Sequence, residues 1–193
     1  MNRLRFRLLN DDTLRFVRIA IVTGLGYYVG GLVGLQLRLP ASTPSVLWPP
    51  NPILTAVLLL TAPRQWGAVL LGALVAHFAV ELPTEWPTLF VTLIFITNCG
   101  EALLAAGGIR WLSDSPTAFD TSRRLGIFLL SAAIVAPLVS TFADAAVVSL
   151  MRGESYALVW RNRLMSSILG ELTIVPALVG FVSGVRGMSG FAP

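Results

Sequence analysis

The chain has 193 residues, of which 55% are hydrophobic and only 12% charged, with a mean hydropathy of +0.76. An ordinary soluble domain is roughly 25% charged, so charge this sparse cannot cover a water-facing surface, and a soluble fold is excluded. The net charge of +4 comes from 14 basic residues that are all arginine; they are spread along the chain between apolar runs instead of forming one stripe with interleaved aromatics, which excludes a nucleic-acid partner.

The amino end carries Arg3, Arg5 and Arg7 at alternate positions with no apolar stretch leading to a small-residue cleavage site, so no cleaved signal peptide is read. Residues 1–18 form a basic segment. The first apolar run, about Ile19 to Leu37, reaches the roughly 20 residues that a bilayer-spanning helix needs. Gly26, Gly30 and Gly34 repeat at intervals of four within it and line one helical face, the pattern of a close-packing seam. Gly24-Leu25-Gly26 has the form of a dinucleotide-loop start, but no strand precedes it and the apolar run continues through it.

The second run, about Val46 to Ala62, opens on Leu47-Trp48-Pro49-Pro50-Asn51-Pro52. Three prolines cannot sit inside a regular helix, so helix is expected from Asn51 as cap and Pro52 as first helical residue, about 16 Å long at about 1.5 Å per residue. Two arrangements suit the residues before it. Either they dip into the membrane as non-helical backbone satisfied by protein or a cavity, or they lie in the headgroup layer with Trp48 as an interfacial anchor. Further spans are expected at about Trp66 to Val80, Thr88 to Ile109, Leu125 to Leu150 and Leu158 to Val182, with Pro137 and Pro176 kinking the last two. Residues 183–193, containing Gly184, Arg186 and Gly187, read as a linker. The expected fold class is therefore an all-α integral membrane protein, a bundle of about six transmembrane helices with the second broken at its start.

Cytoplasmic loops collect positive charge. With the amino end inside, the inner segments hold Arg3, Arg5, Arg7, Arg15, Arg18, Arg64, Arg110, Arg123, Arg124 and Arg186, against Arg38, Arg152, Arg161 and Arg163 on the other side. This asymmetry places both termini inside.

Ionisable groups inside a bilayer are costly and point to function. Glu101 lies deep in the fourth span with Asn98 three residues earlier on the same face, and Glu171 lies near the middle of the sixth. Asp144, His77, Arg161 and Arg163 are also within or near spans. Asp144 paired with Arg161 or Arg163 is a purely structural alternative, and a lone histidine is more often a satisfied core residue than a proton switch. Cys99 is the single cysteine, so no intrachain disulfide forms, and it cannot make a metal site with His77 at any standard spacing. No hydrolase, phosphate-loop, zinc or kinase signature is present, and neither catalysis nor a cofactor is expected.

Several segments, in order, resemble the membrane-associated sensor domain family, first type: Leu47-Trp48-Pro49-Pro50-Asn51; Gln65-Trp66 with Leu71-Gly72-Ala73; Asn98-Cys99-Gly100-Glu101-Ala102-Leu103-Leu104; Ala136-Pro137-Leu138-Val139-Ser140; and Gly170-Glu171 with Val175-Pro176-Ala177-Leu178. The chain departs from the family pattern in carrying Gly170-Glu171 where members tend to have Gly-Asp after an aromatic-rich stretch, and His77 where they often have Asn. The resemblance covers about Ile19 to Val182. It implies a membrane input module of bacterial histidine kinases and cyclic-di-GMP enzymes, in the cytoplasmic (inner) membrane, acting on a cytoplasmic output domain in cis or in trans. Candidate ligand-binding or signalling residues are Trp48, Asn51, His77, Asn98, Glu101, Asp144, Arg161 and Glu171, with Asn51, Asn98, Glu101 and Glu171 expected to converge on one cavity. Besides the lipid bilayer, a small ligand, a partner membrane protein or a second copy are the expected partners. Six short helices with a broken one also describe a solute-binding transporter subunit, and an accessory subunit of a larger membrane complex is a third reading.

Overall fold

The computed structural model describes residues 2–38 and 43–189. The side chains of Arg3, Arg5, Arg7 and Arg186, and residues 190–193 of the expected linker, lie outside what is described. The helices are α1 (Asn2–Gln36), α2 (Pro50–Leu60), α3 (Trp66–Glu81), α4 (Thr88–Leu112), α5 (Ser122–Phe128), α6 (Ala136–Arg152) and α7 (Tyr156–Ser189). A π-helical stretch, Leu129–Val135, joins α5 and α6 into one span. Five helices are thus long and apolar enough to cross a membrane, and α2 is a shorter apolar helix.

The outer surface is apolar, and the interior holds buried polar and charged groups beside an apolar core. Side chains such as Val22, Val75, Ile96, Leu150 and Phe181 are exposed, while Asn51, Asn98, Glu101, Asp144, Arg163 and Glu171 are buried. An apolar exterior around a polar interior is stable only where the surroundings are themselves apolar.

Contacts between helices fix their directions. On α1 and α3, Gly24 meets Gly72, Tyr27 meets His77 and Gly31 meets Val80, so these two helices run parallel. On α1 and α2, Gly26 meets Ile53, Gly30 meets Pro49 and Gly34 meets Trp48, so they run antiparallel. The chain therefore runs back alongside α1 from Trp48 into α2, a shorter apolar helix. The same reasoning makes α4 and α7 parallel to α2, and α6 antiparallel to them. Six alternating passes through the bundle, five of them long and apolar enough to cross a membrane, put the start of α1 and the end of α7 at the same end of the bundle.

Three expectations are corrected. Helix α2 begins at Pro50, with Pro49 as its cap and Asn51 inside the first turn. This suits the prolines: at the cap and in the first turn the missing N–H would have no helical partner anyway, and the first helical bond runs from Ile53 N to Pro49 O at 3.1 Å. Helix α1 extends well before Ile19, and α7 continues unbroken past Gly184 and Gly187 to Ser189. Apolar runs mark where lipid is, and a helix continues into the water beyond it.

Pro137 is accommodated by the π-helical stretch, where the N–H of Ala136 reaches Ser131 O five residues back. A π-turn holds one residue more than an α-turn, so the helix beyond it is rotated by about 100° relative to an uninterrupted one. That rotation aims Ser140, Thr141 and Asp144 at α4 and α7.

The carbonyls at the end of α2 are satisfied from α4. Arg110 Nη2 donates to Leu58 O, Leu59 O and Thr61 O at 3.2, 2.8 and 2.5 Å, and Trp66 Nε1 donates to Leu58 O at 3.1 Å. Arg124 in the first turn of α5 bridges Asp114 and Asp120 of the loop after α4 and holds both carboxyls below their usual range, mainly through its hydrogen bonds to them.

The α1–α3 seam is the closest in the bundle, since a Cβ added at Gly72 would lie 2.1 Å from Ala20 O. Gly72→Ala is expected to lower stability by about 1–3 kcal/mol through overpacking. Gly67→Ala, with open space around it, should be neutral or stabilising by up to about 1 kcal/mol from helix propensity. Thermal unfolding of both variants in one detergent checks the contrast.

Candidate functional site

The interior polar side chains lie on four helices at helical spacing. Thr97, Asn98 and Glu101 share a face of α4; Ser140, Thr141 and Asp144 a face of α6; Arg163, Ser167 and Glu171, at steps of four, a face of α7; Asn51 and Thr55, also four apart, a face of α2. Together they form a polar seam running along the membrane normal.

At its upper end Arg163 makes a two-pronged ion pair with Asp144 through Nε and Nη2, the second at 2.9 Å. Thr97 Oγ1 donates to the same carboxylate at 3.0 Å. One turn below, Glu101 Oε2 accepts from Ser140 Oγ at 2.5 Å and Ser167 Oγ at 3.1 Å, and the Asn51 amide faces it. Glu101 Oε1, Asn51 Oδ1 and Asn98 Nδ2 have no hydrogen-bond partner although all are buried. Next along the seam, Glu171 Oε1 accepts from Thr55 Oγ1 at 2.9 Å and Oε2 is unpaired.

Asn51, Asn98, Glu101, Asp144, Arg163 and the neighbouring hydroxyls line a cavity of about 10 Å³, room for about one water-sized sphere. Glu171 does not line it and sits against Thr55 instead. The structure thus brings together Asn51, Asn98, Glu101 and Asp144, with Glu171 next along α7.

The other candidates fall elsewhere. His77 is fully buried, its Nε2 at 3.0 Å from Val91 O and its Nδ1 at 3.1 Å from Tyr27 OH. Both ring nitrogens are occupied, the pattern of a satisfied core residue linking α1, α3 and α4. Trp48 is buried with its ring against Gly34, where a Cβ would lie 2.4 Å away. The Trp-Pro-Pro stretch is thus enclosed by protein beside Arg38, Glu81 and Trp86. Arg161 is exposed and Arg163 makes the ion pair.

Arg163 also lines a second small cavity with Arg38, Glu81, Trp48 and Trp86. Above it Arg38 donates to both Glu81 oxygens at 3.2 and 3.3 Å, and the Trp86 ring has Arg38 at 4.2 Å and Arg152 at 4.9 Å. Arg152 and Thr43 both engage Glu154. This cluster closes the seam on the side away from the termini. Two larger recesses open on the outside of the bundle. One of about 620 Å³ lies between α1 and α2 beside Arg15 and Arg18; the other, about 400 Å³, is an apolar groove along α1 and α3. Neither is lined by a seam carboxylate.

Reasoning from sequence missed Thr55, Ser140 and Ser167 as members of the site, and named Arg163 only as one of two possible partners of Asp144. The signal was available in the steps of four from Glu171 back to Ser167 and Arg163, and from Asn51 to Thr55.

A multi-pass α-helical membrane protein whose conspicuous chemistry is a buried polar seam is the class that these features define. The MASE1 family profile matches residues 19–187, nearly the whole chain. The chain belongs to the MASE1 family of membrane-associated sensory domains. No curated protein and no solved structure matches it.

Removing one partner of a buried ion pair costs about 3–5 kcal/mol, whereas replacing both with apolar groups costs far less. Asp144→Leu and Arg163→Leu should each destabilise by about that amount, and the double variant by less than either single one. A double-variant cycle of reversible unfolding checks this; additive losses would mean that the pair is not coupled.

Proposed function

We propose that this domain is the sensory input of a signalling protein in the bacterial cytoplasmic membrane. Both termini face the cytoplasm, the seam between α2, α4, α6 and α7 is the switching element, and α7 transmits its state to a histidine kinase or diguanylate cyclase output in cis or in trans. The observation that carries this reading is Glu171. It is fully buried in the helix that leads out of the bundle, is held across the seam by Thr55, and stands one turn and a residue before Pro176. Proline removes the hydrogen bond to the carbonyl of Leu172 and allows α7 to bend there. A change of charge or partner at Glu171 then tilts the cytoplasmic end of α7 as a rigid piece. Beyond that bend α7 continues as helix to Ser189, which supports transmission of the tilt.

The seam cavity of about 10 Å³ cannot hold a vitamin-sized solute, since small-molecule pockets run to about 300–1,000 Å³. This weighs against a solute-binding transporter subunit. Stimuli suited to the seam are of atomic size, or act from outside through a partner membrane protein or a second copy that displaces a helix.

Two tests follow from this reading. Fused to a kinase or cyclase output, Glu171→Gln or Pro176→Ala should change activity severalfold with normal expression and thermal stability, within the limit set by differential affinity of the stimulus for the two states. Wild-type activity in both variants would reduce α7 to an anchor. For orientation, reporters fused after Trp86 and Gly153 should be external and one after Asp120 internal; an external Asp120 contradicts the arrangement.

A further inference from the structure

Helix α1 runs on past the end of its neighbour. Its contacts with α2 pass from Gly34 against Trp48 to Gly26 against Ile53, and α2 then stops at Leu60 while α1 reaches back to Asn2. A face of α1 is left without a covering helix there. Asp11, Arg15 and Arg18 follow at steps of four and three on that face, and Val57 and Thr61 of α2 stand opposite, also four apart. Between them lies the recess of about 620 Å³, within the range of about 300–1,000 Å³ typical of small-molecule pockets.

The wall of this recess changes character along the helix axis. Asp11, Arg15 and Arg18, with Leu14 among them, line the end toward the start of the chain, whereas Ile19, Val22 and Val57 line the end toward the middle of the bundle. The change falls at Ile19, where the apolar run of the first span begins. The recess therefore straddles the boundary between water and hydrocarbon.

Its polar end is electropositive. Two guanidiniums stand against one carboxylate, and among the described residues neither Arg15 nor Arg18 is in an ion pair. The carbonyls at the end of α2, which would repel an anion, are already occupied, because Arg110 donates to Leu58 O, Leu59 O and Thr61 O. A soluble anion would satisfy the arginines and leave the apolar end empty; a plain hydrocarbon would do the reverse. Both ends are matched by an amphiphile whose phosphate lies at the membrane boundary, and basic pockets between helices at that depth suit anionic lipid headgroups. Asp11, outermost of the three, favours a headgroup that carries hydroxyl donors.

We propose that the recess between α1 and α2 binds one anionic phospholipid, with its phosphate on Arg15 and Arg18, a headgroup hydroxyl on Asp11 and an acyl chain along Val22 and Val57. The lipid ties α1 to the end of α2. The site rests on the fold alone, and the orientation proposed above places it in the cytoplasmic leaflet.

The test uses the purified chain in mild detergent, titrated with phosphatidylglycerol, phosphatidylethanolamine or phosphatidylcholine, with retained lipid counted by native mass spectrometry and Tm followed in parallel. A single phosphatidylglycerol should be retained in preference to the two zwitterionic lipids and should raise Tm saturably, as expected of a ligand that binds only the folded state. The double variant Arg15→Gln with Arg18→Gln should weaken retention at least severalfold. Val22→Trp, which fills the apolar end and leaves every charge in place, should do the same. Arg64→Gln, an exposed arginine between α2 and α3 that does not line the recess, should bind as the wild type does. Equal retention of the three lipids, undiminished retention in either recess variant, or an equal loss in Arg64→Gln would overturn the proposal. An equal rise in Tm with inorganic phosphate at matched ionic strength would also overturn it, since the site would then take the anion without the lipid.

Discussion

A guanidinium that cannot reach water must be given its counter-charge by the protein, and the bundle is organised around that requirement at Arg163. Its two-pronged contact with Asp144 fixes the rotation of α6 and α7 against each other, and Thr97 brings α4 to the same carboxylate. Once those three helices are oriented, steps of four carry their polar faces along the seam, so Ser140 and Ser167 meet Glu101 and Glu171 meets Thr55. The cost of taking these charges out of water often equals or exceeds their attraction. The arrangement therefore specifies geometry more than it adds stability, and stability comes from the apolar packing around Tyr27, Leu54, Leu58, Ala105 and Val175 and from the glycine seams of α1.

The short helix α2 extends the same constraint to the backbone. Its prolines fall where no N–H is needed, its last carbonyls are taken by Arg110 and Trp66, and the stretch before it is enclosed by α1 at Gly34. A half-length helix can then serve as one wall of the polar seam, placing Asn51 beside Glu101. Four helices share the seam, and α7 runs furthest beyond it, from Glu171 to Ser189. This division makes Glu171 the member whose state is best placed to be felt outside the bundle.

Much of this was legible from the residues. Apolar runs marked the five long helices and the shorter α2, because bilayer thickness sets helix length, and Gly26, Gly30 and Gly34 marked the face that meets α2. Glu101 and Asp144 stood out because buried charge is rare enough to be informative, and Asn51 because it follows the prolines; the structure places all three on one cavity. Details that depend on rotation and neighbours were not. Arg161 and Arg163 are two residues apart, about 200° on a helix, and hydropathy alone cannot choose between them; the π-helical stretch that aims Asp144 at Arg163 has no compositional mark beyond Pro137. His77 carried the right chemistry for a switch, but its partners Tyr27 and Val91 come from other helices. Helix ends were also missed at α1 and α7, since nothing in the loss of hydrophobicity obliges a helix to stop.

The central claim is that the charge state of the seam sets the position of the half of α7 beyond Pro176. Spin labels at Phe181 on α7 and Trp111 on α4, both exposed, in a Cys99→Ala background report the distance between those helix ends in membranes. The account predicts that the distance distribution shifts between wild type and Glu171→Gln, and that Pro176→Ala suppresses the shift. Identical distributions in all three, with the bundle folded, would contradict it.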